Sequence, residues 1–252
     1  MSRIAVAGAT GRVGHHLVDV LQQQGHDVVP ISRRHDVDVI TGAGLAEALA
    51  GVECVVDCAT GPSPDEAQAT EFFVTAAGNL QEAGRHAGVE RIVAVSIIGC
   101  DRFSGGYNAA KVAHERALEA GPIPVHVLRA AQFHELVPLL VEWGTQGDVS
   151  YVQGARSQPV AARTVAQALA NLATNPSART TEIAGPRAEN LLDLARILVT
   201  KRGNGLRVEE APSDPSDPDR DLFAGGGLLP GPYAKLAGLT FAGWLASGQK
   251  AP

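Results

Sequence analysis

Tyr107 and Lys111 are separated by three residues in the run Tyr107-Asn108-Ala109-Ala110-Lys111, so a helix there would set both side chains on one face. A phenol titrates near 10 in water, and an ammonium beside it favours the phenolate by Coulomb attraction. Such a pair is suited to donating and accepting a proton. Ser96, upstream, offers a hydroxyl that could hydrogen-bond a substrate carbonyl and help polarise it. The plainer reading of the same residues is that Tyr107 packs and Lys111 is solvated.

A second constellation lies at the start of the chain. Gly8-Ala9-Thr10-Gly11-Arg12-Val13-Gly14 spaces its glycines as G-x-x-G-x-x-G, directly after an apolar run and before a helical pattern. Glycine is needed there for a tight turn, for close backbone approach to a pyrophosphate and for packing of helix on strand. The helix N-terminus adds unpaired N–H groups and a favourable dipole. Gly8, Thr10, Gly11, Arg12, Val13 and Gly14 are therefore cofactor-binding candidates. An NAD site usually carries an acid about twenty residues further on, for the ribose hydroxyls. Here the second apolar run ends Ile31-Ser32-Arg33-Arg34. Two guanidiniums and a hydroxyl suit a 2′-phosphate, which favours NADP(H), and Arg12 could approach the same group. Asp38 and Val39 are expected near the adenine, and Ala59 and Thr60 at the carboxyl edge of the sheet. The bland alternative is that Arg33 and Arg34 are solvated loop residues.

The elements that must position these groups alternate along the first half. Strands are expected at residues 3–7, 27–32, 37–40, 52–57, 91–96 and 125–129. Helices are expected at 12–24, 45–50, from 65 or 66 to 86, and at 107–120. Strands alternating with crossover helices imply an α/β, Rossmann-type doubly wound parallel sheet. After residue 130 the rhythm loosens, with helices expected at 132–143, 163–174, 191–201 and 241–246, and extended segments at 149–152 and 181–184. This divides the chain into a nucleotide-binding core, 1–130, and a small, mostly helical substrate-pocket region, 131–252, interleaved with it. Phe223, Tyr233, Phe241 and Trp244 are expected to anchor that region.

Composition narrows the function classes. The chain has 252 residues, 45% of them hydrophobic, and a net charge of -6, which disfavours direct nucleic-acid binding. No apolar run approaches a membrane span, and the apolar start is too short for a signal peptide, so a cytoplasmic protein is expected. The three cysteines, Cys54, Cys58 and Cys100, read as packing residues; a redox or metal pair is the alternative, but neither the spacing nor a histidine cluster supports it. No metal site is expected.

Taken together, Gly8–Gly14, Val95-Ser96-Ile97-Ile98-Gly99, Tyr107–Lys111, Leu128-Arg129-Ala130-Ala131-Gln132-Phe133-His134 and Gln158-Pro159-Val160-Ala161 resemble an atypical short-chain dehydrogenase/reductase, near the NmrA-like NAD(P)-binding proteins. The resemblance implies a Rossmann core, NADP(H) and a pocket completed by the later residues. It also implies that Tyr107 donates a proton, that Lys111 holds the nicotinamide ribose and that Ser96 orients the carbonyl. Phe133 and His134 are candidates for the substrate wall. The expected activity is reduction of a small carbonyl or quinone. The alternatives are a non-catalytic NADP(H) sensor with a protein partner, or an epimerase or isomerase.

Overall fold

The computed structural model describes residues 1–248. The first half alternates β1 (Arg3–Ala7), α1 (Gly14–Gln23), β2 (Asp27–Ile31), α2 (Leu45–Ala48), β3 (Cys54–Asp57), α3 (Glu66–Ala87), β4 (Arg91–Ile97), α4 (Gly106–Glu119) and β5 (Val125–Ala130). Then come α5 (Leu136–Trp143), β6 (Thr145–Gln146), β7 (Val149–Val152), β8 (Arg156–Ser157), α6 (Ala162–Thr174) and β9 (Glu182–Ala184). The chain closes with β10 (Glu189–Asn190), α7 (Leu191–Arg202), β11 (Arg207–Glu210), α8 (Arg220–Gly225), β12 (Lys235–Leu236) and α9 (Phe241–Ala246).

Seven strands form one sheet in the order β12-β9-β5-β4-β3-β1-β2, and their pairings are parallel. This is a Rossmann-type α/β fold. Both faces of the central strands are covered, which is why their sequences read as unbroken apolar runs. On one face Ile4, Val6, Val56 and Leu128 pack against Leu17 and Leu21 of α1 and Val165 and Leu169 of α6. On the other, Ala5, Val55, Ile92 and Ala94 meet Leu45, Leu80 and Leu118. The chain runs outward from β1 to β2 and then returns to β3, so the order reverses between β1 and β3. In open sheets of this kind the ligand crevice lies at that reversal, beyond the carboxyl ends of the strands. Gly8 follows β1, and Asp57 ends β3.

Local signals fix the helices that flank the crevice. The Asp65 carboxylate caps α3 by accepting the Gln68 N–H at 3.1 Å, and Gly88 ends that helix at φ 76°. Residues beyond 130 divide between two places. α6, β9 and β12 complete the central layers, whereas α5, α7 and α9 share a separate cluster with Val152, Phe241 and Trp244.

Two expectations are corrected. Residues 37–40 form no strand: Gly42 donates to the Asp38 carbonyl at 2.9 Å, Ile40 to the Asp38 carboxylate at 2.8 Å, and the Asn79 amide to the Val39 and Ile40 carbonyls at 2.9 and 2.8 Å. Turn and side-chain bonds have taken the peptide groups that a sheet ladder would use. Tyr233 anchors nothing, being 97% exposed, while Phe241 and Trp244 are buried and Phe223 meets Phe103 edge-on.

Candidate active site

The glycine loop is held tightly between β1, β2 and β3. Gly8 lies at φ +74°, and a Cβ there would come within 2.7 Å of the Cys58 carbonyl oxygen. At Gly14 a Cβ would fall 2.1 Å from the Gly8 carbonyl oxygen, so the start of α1 rests directly on the turn. The Ile31 carbonyl accepts from Gly8 and Ala9 at 3.0 and 3.2 Å, and Gly11 donates to Gly8 at 2.8 Å. The N–H groups of Thr10, Arg12, Val13 and Gly14 donate to no backbone carbonyl among the described residues. Free donors, a helix N-terminus and glycine-only clearances are what a dinucleotide pyrophosphate requires, so the loop fits such a cofactor.

Ser32, Arg33 and Arg34 leave β2 immediately after Ile31, and the tie from Ile31 to Gly8 keeps them beside the loop. Arg33 and Arg34 are exposed, and the Ser32 hydroxyl meets His35 Nδ1 at 2.8 Å. Asp38 and Val39 lie on the turn described above, with one Asp38 oxygen engaged by Ile40. Ala59 is buried beside Gly8, whereas Thr60 is exposed at the rim.

Tyr107 and Lys111 share one face of α4, but their polar ends go to different partners. The Tyr107 phenol is half-buried near Thr60 and Arg12. Burial pushes its pKa up, against smaller downward pulls from Thr60 and the Arg12 guanidinium. The ammonium expected to pull it down is turned away. Lys111 Nζ donates to the Val95 carbonyl at 2.9 Å, meets His114 Nδ1 at 2.9 Å and stands 4.3 Å from the centre of the Phe73 ring. Burial lowers the amine to about 8, with Asp57 and Glu115 opposing the shift. Ser96, near the end of β4, is 4% exposed, and its hydroxyl meets Sγ of Cys100, in the loop between β4 and α4, at 3.8 Å. No hydrogen bond joins Ser96, Tyr107 and Lys111 among the described residues.

The structure adds a buried chain that the sequence did not disclose. His114 Nε2 lies 2.9 Å from Asp57 Oδ2, and Asp57 Oδ1 accepts the Ala59 N–H at 2.9 Å. With Lys111 donating to Nδ1, the imidazole is neutral and its Nε2–H donates to the Asp57 carboxylate. Burial and the adjacent Lys111 cation hold the His114 pKa down. Burial pushes Asp57 up, but the bonds from His114 and Ala59 and the Lys111 charge outweigh it, so the carboxyl titrates below its usual range. Next to this chain, Arg129 forks onto Glu115 at 2.7 and 3.0 Å and reaches Asp101 at 2.8 Å, tying α4 to β5 and to the loop that follows β4.

His134 does not line a pocket. It is fully buried, its Nε2 meets the Leu239 carbonyl at 3.0 Å, and its ring lies 5.6 Å from Phe241 and 5.5 Å from Trp244. The aromatic residues of α9 close over it, so it anchors that helix. Phe133 is half-buried against the central cluster and bridges to Val160. The neighbouring Glu135, 3% exposed, accepts the Ala162 N–H with both oxygens and so caps α6.

A family of NAD(P)H-binding domains matches residues 8–176, a span that runs from the glycine loop through α6. The chain belongs to this NAD(P)H-binding family. No curated protein matches the sequence. Among solved structures, TunA, an NAD-dependent NDP-hexosamine 5,6-dehydratase of tunicamycin biosynthesis, superposes with a TM-score of 0.71 over 99% of both chains at 16% identity. WbmG of Bordetella bronchiseptica, in complex with NAD and UDP, gives 0.69 over 97% of this chain and 94% of that one at 18% identity. A short-chain dehydrogenase/reductase superfamily protein from Agrobacterium tumefaciens with bound NAD gives 0.69 over 97% and 95% at 16% identity. At such identities the likeness shows the fold. With the family match, it supports the resemblance to atypical short-chain dehydrogenase/reductases.

Sequence reasoning passed over Asp57, His114 and Phe73. Two signals were available: Asp57 is a lone acid ending an apolar run, and His114 continues the Tyr107–Lys111 face one turn on.

Proposed function

We propose that the chain is an NADP(H)-dependent oxidoreductase acting on a small carbonyl or quinone compound, with Tyr107 as the proton donor. One observation carries the cofactor choice: Ser32, Arg33 and Arg34, with no acid among them, stand where β2 is bonded to the glycine loop. Guanidiniums there make charge-assisted bonds to a 2′-phosphate, whereas the charge of Arg12, first expected near the same group, acts on Tyr107. The free N–H groups from Thr10 to Gly14 hold the pyrophosphate, and Asp38, Val39, Ala59 and Thr60 border the adenosine side.

NADPH, when bound, supplies the hydride for reduction of the carbonyl carbon. Tyr107 supplies the proton for the carbonyl oxygen. Its burial keeps the phenol protonated at neutral pH, the state a donor needs, and Arg12 and Thr60 stabilise the phenolate left behind. Ser96 acts from near the carboxyl end of β4, and Phe133 borders the pocket. The resemblance of Gly8–Gly14, Tyr107–Lys111 and the later segments to NmrA-like proteins supports the same reading. The test is NADPH oxidation against a panel of quinones, aldehydes and ketones. Tyr107→Phe should cut turnover of any authentic substrate by about 10²-fold, the scale of a general acid, with NADPH affinity nearly intact. Undiminished turnover in that variant removes Tyr107 from the role.

A second reading, a non-catalytic NADP(H) sensor, is favoured by the engagement of Lys111 with Val95 and His114. It predicts tight NADPH binding, no turnover across the panel, and capture of a protein partner that depends on NADPH.

A further inference from the structure

We infer that Asp57 and His114 are positioning residues that lock α4, and with it Tyr107, to the cofactor edge of the sheet through Lys111. The inference rests on the reading of that edge as the NADP(H) site. Tyr107, Lys111 and His114 follow one another along a single stripe of α4, at i, i+4 and i+7. Each of the three is touched by Phe73 of α3. Its ring meets Tyr107 edge-on at 5.8 Å, lies 4.3 Å from Lys111 Nζ and stacks on His114 at 4.7 Å. The stripe is fastened to two strands at once: Lys111 donates to Val95 of β4, and His114 donates to Asp57 at the end of β3.

The Asp57 end of the chain bears directly on the glycine loop. Asp57 Oδ1 fixes the Ala59 N–H, and the Cys58–Ala59 backbone is the wall against which only a glycine fits at position 8. One run of hydrogen bonds therefore joins the turn that backs the glycine loop to the helical turn bearing the phenol. All three polar groups in the run are buried, with Asp57 at 0%, His114 at 1% and Lys111 at 5% exposure. In such surroundings an unmade bond is expensive, so the run selects one rotation and height for α4. Lys111 thus serves α4 as an internal clamp, and the cation whose charge acts on the phenol is Arg12 of the loop.

The experiment compares His114→Phe with His114→Gln in the full chain. Phenylalanine keeps the stack on Phe73 and removes both hydrogen bonds; glutamine can accept from Lys111 and donate to Asp57. Two quantities are read: backbone amide exchange over residues 107–111, and the NADPH dissociation constant by fluorescence titration. His114→Phe should speed exchange in that turn and weaken NADPH by at least about tenfold, the factor carried by one charge-assisted hydrogen bond. His114→Gln should stay within about twofold of wild type in both, a rescue that ring packing alone does not give. Should His114→Phe fail to fold, Asp57→Asn replaces it, since its amide faces His114 Nε2 and reverses the polarity of the run. A folded His114→Phe protein with wild-type exchange and affinity overturns the inference, as does a His114→Gln protein as impaired as His114→Phe. If wild type does not bind NADPH, the proposed function falls, and the exchange comparison still decides the clamp.

Discussion

Gly14→Ala tests the cofactor loop through a single methyl group. In the folded chain that methyl would lie 2.1 Å from the Gly8 carbonyl oxygen, 2.8 Å from the Gly8 carbonyl carbon and 3.0 Å from Ala9 Cα. Carbon contacts are best at roughly 3.5–4.0 Å, so the start of α1 must retreat from the turn by about 1 Å. All the obstructing atoms are backbone, and no rotamer change relieves them. Overpacking of this kind costs about 1–3 kcal/mol, which for a chain this long lowers Tm by roughly 2–12 °C. The same retreat pulls the free N–H groups of residues 12–14 away from the pyrophosphate. Losing one such charge-assisted bond weakens NADPH binding by about tenfold or more. Gly78→Ala is the control: it lies on the exposed side of α3, and a Cβ there has nothing within 4 Å. It should stabilise the protein by about 0.5–1 kcal/mol and leave NADPH binding alone. Thermal unfolding and fluorescence titration of both variants are the assays. A Gly14→Ala protein with the wild-type Tm and NADPH affinity would refute the reasoning.

Further outcomes follow from the surrounding structure. His134→Ala should destabilise the fold by about 2–4 kcal/mol, since it empties a space enclosed by Phe241 and Trp244 and leaves the Leu239 carbonyl unpaired; chemical denaturation checks this, with NADPH affinity of the folded fraction unchanged. Burial also holds the His134 pKa below its usual 6.5, so the unfolded chain takes up a proton there first and the contribution of His134 to stability shrinks as pH falls below about 6.5. Lys111, lowered to about 8 from 10.5, gives a slope of the same sign at higher pH: between those values the unfolded chain carries a proton that the folded chain has shed, so this group makes stability rise with pH. Above 9 the buried Cys54 thiol, pushed up to about 12, works against that rise, which leaves pH 8–9 as the clearest window. Urea unfolding of wild type against Lys111→Met should show a gap that changes across this window; a constant gap contradicts the assignment.

Most of the fold was legible because its determinants are local or periodic. The glycine spacing, the apolar strands buried on both faces, the Asp65 cap and the Gly88 stop all lie within a few residues of what they control. The segment at 37–40 misled because its apolar residues look like a strand, while the deciding Asn79 amide is some forty residues away on α3. His134 misled for a similar reason. Its place after β5 suggested a pocket wall, but α9, more than a hundred residues later, folds back over it. The Tyr107–Lys111 spacing correctly predicts a shared helical face. Which way each polar end turns depends on Val95, Asp57 and Phe73, partners from three other elements, and i, i+4 spacing carries no information about them.

The central claim is tested most directly by titrating the purified chain with NADPH and with NADH, in wild type and in an Arg33→Ala/Arg34→Ala double variant, following cofactor fluorescence. The account predicts tighter NADPH than NADH binding in wild type, a loss of more than about tenfold for NADPH in the variant from the missing charge-assisted bonds, and little change for NADH. Equal losses for the two cofactors, or a wild-type preference for NADH, would contradict it.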